Sequence, residues 1–338
     1  MDIRPSTALK TTAIVFAVLI GLRFLWIAHA IFFVAFLAVL LGLALSRAAD
    51  WLERHRVRRG LGAPATLLGG LLVLVLIGMA VAPSLTSQTD EISHDFPKAM
   101  QSIGQKLPFA PAVERVMSRE LRGLTRLLFP VISSVVGAIG AIVVILFMAM
   151  YIAIEPDLYR KGILHLVPHR ARPRAEEVLA TLGDTLRQWL IARLLAMAAI
   201  GIITGIGLAA LRVKGAGALG ILAGMLEIIP FFGPLVSALP AVAVALIDSP
   251  QKALGVIVLY TIVQQLEGHL ITPLILEKRL AIPPVLTIVS VSAMGLVFGI
   301  LGMLIAEPLL AATIVLTKML YVQDVVHDEV AIGKENST

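Results

Sequence analysis

The chain has 338 residues, 58% of them hydrophobic and 15% charged, with mean hydropathy +0.94. That excludes a soluble globular domain, and the absence of cysteine excludes disulfides, thiolate metal sites and thiol chemistry. The net charge of +6 and pI near 9.8 fit the basic cytoplasmic loops of a membrane protein better than nucleic-acid binding.

Charges cluster between apolar runs, and no run alternates with period two. The expected fold is therefore an all-α polytopic membrane protein. It has about six full transmembrane helices plus two re-entrant or broken helical hairpins, eight hydrophobic segments in all, with a small extracytoplasmic helical subdomain. The expected regions are transmembrane helices 1–3 (1–83), the external subdomain (84–129), transmembrane helix 4 with a cytoplasmic segment (130–187), a transport core (188–320) and a cytoplasmic tail (321–338).

Arg4 and Lys10 precede an apolar run that ends at Ala28-His29-Ala30, which imitates a secretory signal. A second apolar run follows at once, so the reading is two retained spans, 12–28 and 31–45, joined tightly at His29. Arg47, Arg54, Arg56, Arg58 and Arg59 then form the densest basic cluster. The positive-inside rule places it, and with it the N-terminus, in the cytoplasm. A third span, 64–82, crosses outward. Residues 83–129 carry many charges with Leu and Ile at helical spacing, and are broken at Pro97, Pro108 and Pro111. They read as amphipathic helices with a structural or assembly role, or alternatively a binding-protein role. Span 4, 127–154, is uncharged and returns inside. His165 and His169 stand four apart, but Pro168 breaks the helix between them and no third ligand is near, so no metal site is expected. Span 5, 188–211, carries Gly201, Gly205 and Gly207 as a small-residue packing face. Gly215, Gly217 and Gly220 spell a dinucleotide fingerprint, yet no strand precedes them, so they too read as a small-residue helix face.

The apolar run 216–247 is interrupted by Glu227-Ile228-Ile229-Pro230-Phe231-Phe232-Gly233-Pro234. Two prolines remove backbone donors and a glycine loosens the chain between them. In hydrocarbon the freed carbonyls must face protein or water. A carboxylate near mid-membrane costs about 2.5–3.5 kcal/mol even on the lenient insertion scale. A broken helix with an acid beside the break is what transporter ion and solute sites look like. Span 6, 252–271, ends in Gln264-Gln265-Leu266-Glu267-Gly268-His269-Leu270-Ile271-Thr272-Pro273. The last run, 285–316, is loosened by Gly295, Gly299 and Gly302 and interrupted by Glu307-Pro308.

The two long runs admit two threadings. Each crosses once, or each is a re-entrant hairpin, the first dipping in from outside and the second from the cytoplasm. Arms of about fifteen residues reach only ~22 Å, short of a ~30 Å hydrocarbon core. That length, and the basic pair Lys278-Arg279 as an inner loop, favour hairpins, which would form an inverted repeat. Both threadings leave the C-terminus inside.

Three acids are the candidate site residues. Glu227 is read either as a cation or proton ligand or as the partner of Arg193 in a buried structural bridge. Glu267 lines a polar path with Gln264, Gln265, His269 and Thr272, or else ends a helix at the interface. Glu307 is an ion ligand, or an acid at the membrane boundary. Pro230, Gly233, Pro234 and Pro273 shape the breaks whose free backbone groups would contact a solute. No catalytic constellation, ATP-binding loop or metal cluster is present in the sequence, so the chain reads as a non-enzyme without cofactors that draws on an ion or solute gradient.

From Glu227 through Pro240, Gln264-Gln265-Leu266-Glu267-Gly268, Thr272-Pro273, Pro284 and Phe298-Gly299-Ile300-Leu301-Gly302 to Pro308, the chain resembles the autoinducer-2 exporter family of bacterial membrane proteins. The resemblance covers most of 180–320. His269 stands where the family more often has Asn, and Glu307 where a small or apolar residue is usual; both add titratable groups. The family implies secondary transport, with some members associated with export of autoinducer-2 and others with sodium/proton antiport. It implies a bacterial inner-membrane exporter of a small polar solute working by alternating access with ion coupling. The alternatives are a monovalent cation/proton antiporter, and a passive channel or structural scaffold. Expected partners are membrane lipid, a small polar solute, Na+ or H+, and further copies of the chain; nucleic acid is not among them.

Overall fold

The computed structural model of the chain describes residues 5–58, 60–72, 75, 76, 79, 135–271 and 282–328, and every regular element among them is helical. The expected external subdomain, Thr272 and Pro273, the Lys278-Arg279 pair and the last ten residues of the tail lie outside the described residues.

Helix α1 (Pro5–Arg54) is unbroken over 50 residues, a length of ~75 Å. Pro5 suits a first turn, and no proline follows it in the helix. The His29 side chain bonds back to the Trp26 carbonyl within the same helix. The tight joint expected at His29 is therefore absent, and one helix carries both apolar runs. Arg56, at φ 68, reverses the chain after the basic end, and α2 (Gly60–Leu72) follows. Helix α3 (Val135–Ile154) packs along α1, with Ala49, Ala63 and Ala153 clustered at the basic end. Pro156 then opens α4 (Pro156–His165), bent 85° from α3.

Helix α5 (Arg172–Ala210) is the post on which the rest is mounted. Its small-residue face does what its glycines predict. Gly201 and Gly205 lie directly against Gly220 and Gly224 of α6 (Ala216–Leu226), closely enough that a methyl at Gly220 would meet backbone. Leu219 of α6 packs with Ala241, Val244 and Ala245 of α7 (Phe232–Asp248). A residue near the start of one arm thus meets residues near the end of the next, so α6 and α7 form an antiparallel hairpin. Its turn spans the predicted break: Phe231 takes φ 65 and Gly233 sits under the Leu226 carbonyl, where any side chain would collide. Lys252, bonded to Asp248 and to the Arg212 carbonyl, closes the open end of this hairpin beside the end of α5. Helix α8 (Pro250–Leu266) starts from a Ser249 cap and passes into a π-helical turn, Glu267–Ile271.

Helix α9 (Pro284–Leu316) is folded at its middle. Gly299 takes φ 66, ψ −150, a conformation open essentially to glycine alone. The Ser290 hydroxyl donates to the Ala306 carbonyl at 3.3 Å across a separation of 16 residues, which a straight helix would hold ~24 Å apart. The arms 284–298 and 300–316 are thus a second hairpin. Its open end lies near the start of α5: Ala312 packs with Leu186, and Val315 and Met319 with Val178. The two hairpins enter the bundle from opposite ends of α5. By length and composition, four helices among the described residues can cross a membrane, or five if the bent pair counts as one span.

Arg174 binds Asp324, Glu177 and the Met319 carbonyl, and Arg187 reaches the Leu43 carbonyl. The basic end of α1, the 155–187 segment and the end of the described chain therefore share one face of the bundle.

Candidate functional site

Five elements meet where the first hairpin turns. Glu227 caps α6: its N–H still bonds the Ala223 carbonyl, but Pro230 three residues on cannot continue the ladder. The chain turns there, and the Glu227 side chain is left at 0% exposure. Arg193, on the face of α5 opposite this turn, is also buried. Its Nη2 lies 3.3 Å from Glu227 Oε1 and its Nε 4.0 Å from Glu307 Oε2. Glu307 comes from the returning arm of the second hairpin, next to Pro308, with the Trp189 indole beside it. One guanidinium thus bridges the two hairpins. Glu267, the first residue of the π-turn, faces Glu227 and accepts a 2.8 Å hydrogen bond from Gln264 Nε2. The π-turn widens the helix and places this carboxylate inward; such insertions recur at functional sites.

Three carboxylates and one guanidinium leave an excess of two negative charges if all are ionised. Buried charge without counter-charge is costly, so a cluster of this composition can accept positive charge, as protons or as a cation. A cavity of about 10 Å³ adjoins Glu227 and Glu267. Its polar wall comes from Thr204, Ser237, Tyr260 and Gln264, and its apolar wall from Ile200, Ala223 and Val263. The Tyr260 hydroxyl donates to the Ser237 carbonyl, and the Ser237 hydroxyl to the Pro234 carbonyl, tying α7 to α8 around the cavity.

Of the residues singled out in the sequence, Glu227, Glu267, Pro234 and Gln264 line this cavity, and Glu307 joins them through Arg193. Pro230 and Gly233 are buried in the turn itself. Gln265 and His269 are exposed and form no part of the cavity wall; the His269 Nδ1 lies 3.0 Å from the Gln265 carbonyl on its own helix. Thr272 and Pro273 lie outside the described residues. Sequence reasoning missed Thr204, Ser237 and Tyr260. A single hydroxyl in an apolar helix carries no signal by itself, because it can satisfy itself on its own backbone. Among the described residues no group of three or more His, Cys, Asp or Glu is arranged to hold a metal ion.

The sequence matches the family described as "AI-2E family transporter" over residues 14–321. The YueF protein of Bacillus subtilis is 29% identical over 275 residues, covering 73% of this chain and 74% of that protein. The YrrI protein of the same organism is 31% identical over 174 residues, or 52% and 48% of the two chains. The AI-2 transport protein TqsA of Escherichia coli is 24% identical over 312 residues, 86% of each chain. A match over nearly the whole length, on a helical bundle with several apolar spans, makes this chain a multi-pass bacterial membrane protein that belongs to the AI-2E family of transporters.

Proposed function

We propose that the chain is an ion-coupled secondary transporter of the inner membrane that exports a small polar solute of the autoinducer-2 type by alternating access. The observation that carries this is the bridge from Arg193 to Glu227 and Glu307, with Glu267 alongside. It joins two oppositely entering hairpins through charges that are stable only when balanced. Binding or release of one positive charge changes what holds the hairpins together, which is the differential interaction alternating access requires. The solute assignment leans on the name of the relative TqsA. We assign the transport core to 188–320, moving against the earlier helices.

We read both hairpins as re-entrant. The arms of the first hold 11 and 17 residues, or ~16 and ~25 Å, short of a full crossing. We place the shared face of Arg54, Arg56, Arg58, Arg160, Lys161, Arg170, Arg172 and Lys318 in the cytoplasm by the positive-inside rule. The C-terminal tail then lies inside, and the first hairpin dips in from outside. We read the unbroken α1 as a single crossing, which would put its Pro5 end on the outer side, in contrast to the cytoplasmic N-terminus expected from two spans joined at His29.

The test is solute flux in proteoliposomes with proton or sodium gradients imposed separately. Glu227→Gln and Glu267→Gln fold normally by circular dichroism and lose gradient-driven flux; undiminished flux in both removes these acids from the mechanism. A second reading, monovalent cation/proton antiport, is favoured by the small cavity, which has room for an ion and not for a sugar-sized solute. Gradient-driven cation exchange with no solute in the same vesicles would select it.

A further inference from the structure

We propose that Phe298, at the tip of the second hairpin, is a latch. It docks the transport core onto α1 in an aromatic cradle of Trp26, His29 and Phe33, and turnover requires its release. This rests on the carrier reading and deepens it, because it names a contact that must break when residues 188–320 move against the earlier helices.

The cradle is built on one stripe of α1. Trp26, His29 and Phe33 are spaced three and four apart, which brings them to one face of the helix. Their rings touch one another: the His29 centroid lies 5.7 Å from that of Trp26 and 5.5 Å from that of Phe33. The bond from His29 to the Trp26 carbonyl fixes the imidazole between them. Phe298 enters this row as a fourth ring, 5.7 Å from Trp26, 5.0 Å from His29 and 4.9 Å from Phe33, the last edge to face at 86°. All three separations fall where aromatic pairs attract.

The hairpin is shaped to present that ring. Phe298 immediately precedes Gly299, whose backbone makes the turn. The arms close tightly beside it, since a methyl at Gly302 would strike the Met294 carbonyl, so the ring travels with the tip. Leu296, Val297, Ile300 and Leu301 are exposed around it, and Phe298 alone among the large side chains of 296–301 is drawn in from the surface.

Two differences from the Arg193 bridge mark this contact as the one that opens. Arg193 and Glu307 both belong to the core, whereas Phe298 reaches across its boundary to α1. Parting Arg193 from its acids would strand buried charge. Parting the rings strands nothing polar, because His29 keeps its bond to its own helix and lipid chains can cover the apolar faces.

The test has a structural arm and a transport arm, both on the full chain. The three tryptophans are replaced by 5-fluorotryptophan and followed by fluorine NMR in nanodiscs. The Trp26 signal is expected to report docked and free forms, with Phe298→Leu moving their ratio about tenfold toward the free one. Trp51, stacked on its own His55, should stay in place. For transport, the cysteine-free sequence allows one introduced pair, His29→Cys with Phe298→Cys, to be bridged by a short bis-methanethiosulfonate. Autoinducer-2 flux and sodium/proton exchange are both followed in proteoliposomes. Bridging should cut gradient-driven flux at least about tenfold, and a reductant should restore it. A Trp26 signal identical in wild type and Phe298→Leu overturns the proposal. Flux that survives full bridging also overturns it and leaves the carrier reading standing. Absence of gradient-driven flux in the wild type under every ion fells both.

Discussion

Removing Arg193 is the sharpest perturbation of the site. Arg193→Gln leaves Glu227 and Glu307 facing each other and Glu267 without a cation. At separations of 3.3 and 4.0 Å the two attractions amount to ~5 and ~4 kcal/mol at an effective dielectric constant of about 20. Desolvation of the buried groups offsets much of that gain, and breaking one side of such a pair costs about 3–5 kcal/mol. Glu227→Gln is milder, about 1–3 kcal/mol, because Arg193 keeps Glu307. The double variant removes the charge left stranded by the first change, so its cost should fall about 2 kcal/mol short of the sum. Unfolding in mild detergent, followed by circular dichroism across the four-member cycle, measures this. Costs that add to within about 0.5 kcal/mol would show that the two groups do not interact and would refute the reasoning.

Gly299→Ala forces a side chain into a backbone conformation that costs about 1–3 kcal/mol, and should lower the unfolding temperature with little change in α-helix content. Gly220→Val pushes α6 off α5, since even a methyl there meets the Gly205 backbone; folded yield should drop sharply, while Gly217→Ala, with open space around it, should be tolerated. Arg174→Ala frees the Thr317–Val326 turn from α5 by removing the contacts to Asp324 and the Met319 carbonyl. The pairs are part-exposed, so the stability change should stay below about 1 kcal/mol, while hydrogen exchange in that turn quickens. With single cysteines at Ser249 and Lys278, the hairpin threading predicts labelling of Ser249→Cys from outside and Lys278→Cys from inside; labelling of Lys278→Cys only from outside contradicts it.

Much of the site was legible because prolines and glycines in apolar runs have few uses. The break at Pro230–Gly233 was readable from the lost donors, and the structure adds the reason for Gly233, the Leu226 carbonyl pressed on it. The turn of the second hairpin was readable only as a loosened stretch. Three glycines marked it, and tertiary contact between Ser290 and Ala306 shows that Gly299 makes the turn. The pairing of Arg193 with Glu227 was visible as one alternative of two, but its extension to Glu307 was not, because it depends on how the second hairpin enters. The joint at His29 failed for a local reason. Periodicity shows where apolar residues are, and without Pro or a pair of Gly nothing in 26–33 obliges the helix to stop. Thr204, Ser237 and Tyr260 were invisible because their role comes from three different helices meeting, not from any pattern along one.

The central claim is that this carboxylate cluster takes up positive charge as the transporter turns over. Charge movement in proteoliposomes adsorbed on a solid-supported electrode tests it directly, after a step in proton or sodium concentration with and without solute. The account predicts a transient current in the wild type that grows with solute and falls to the bare-liposome level in Glu227→Gln and Glu267→Gln. Currents of equal size in wild type and both variants would contradict it.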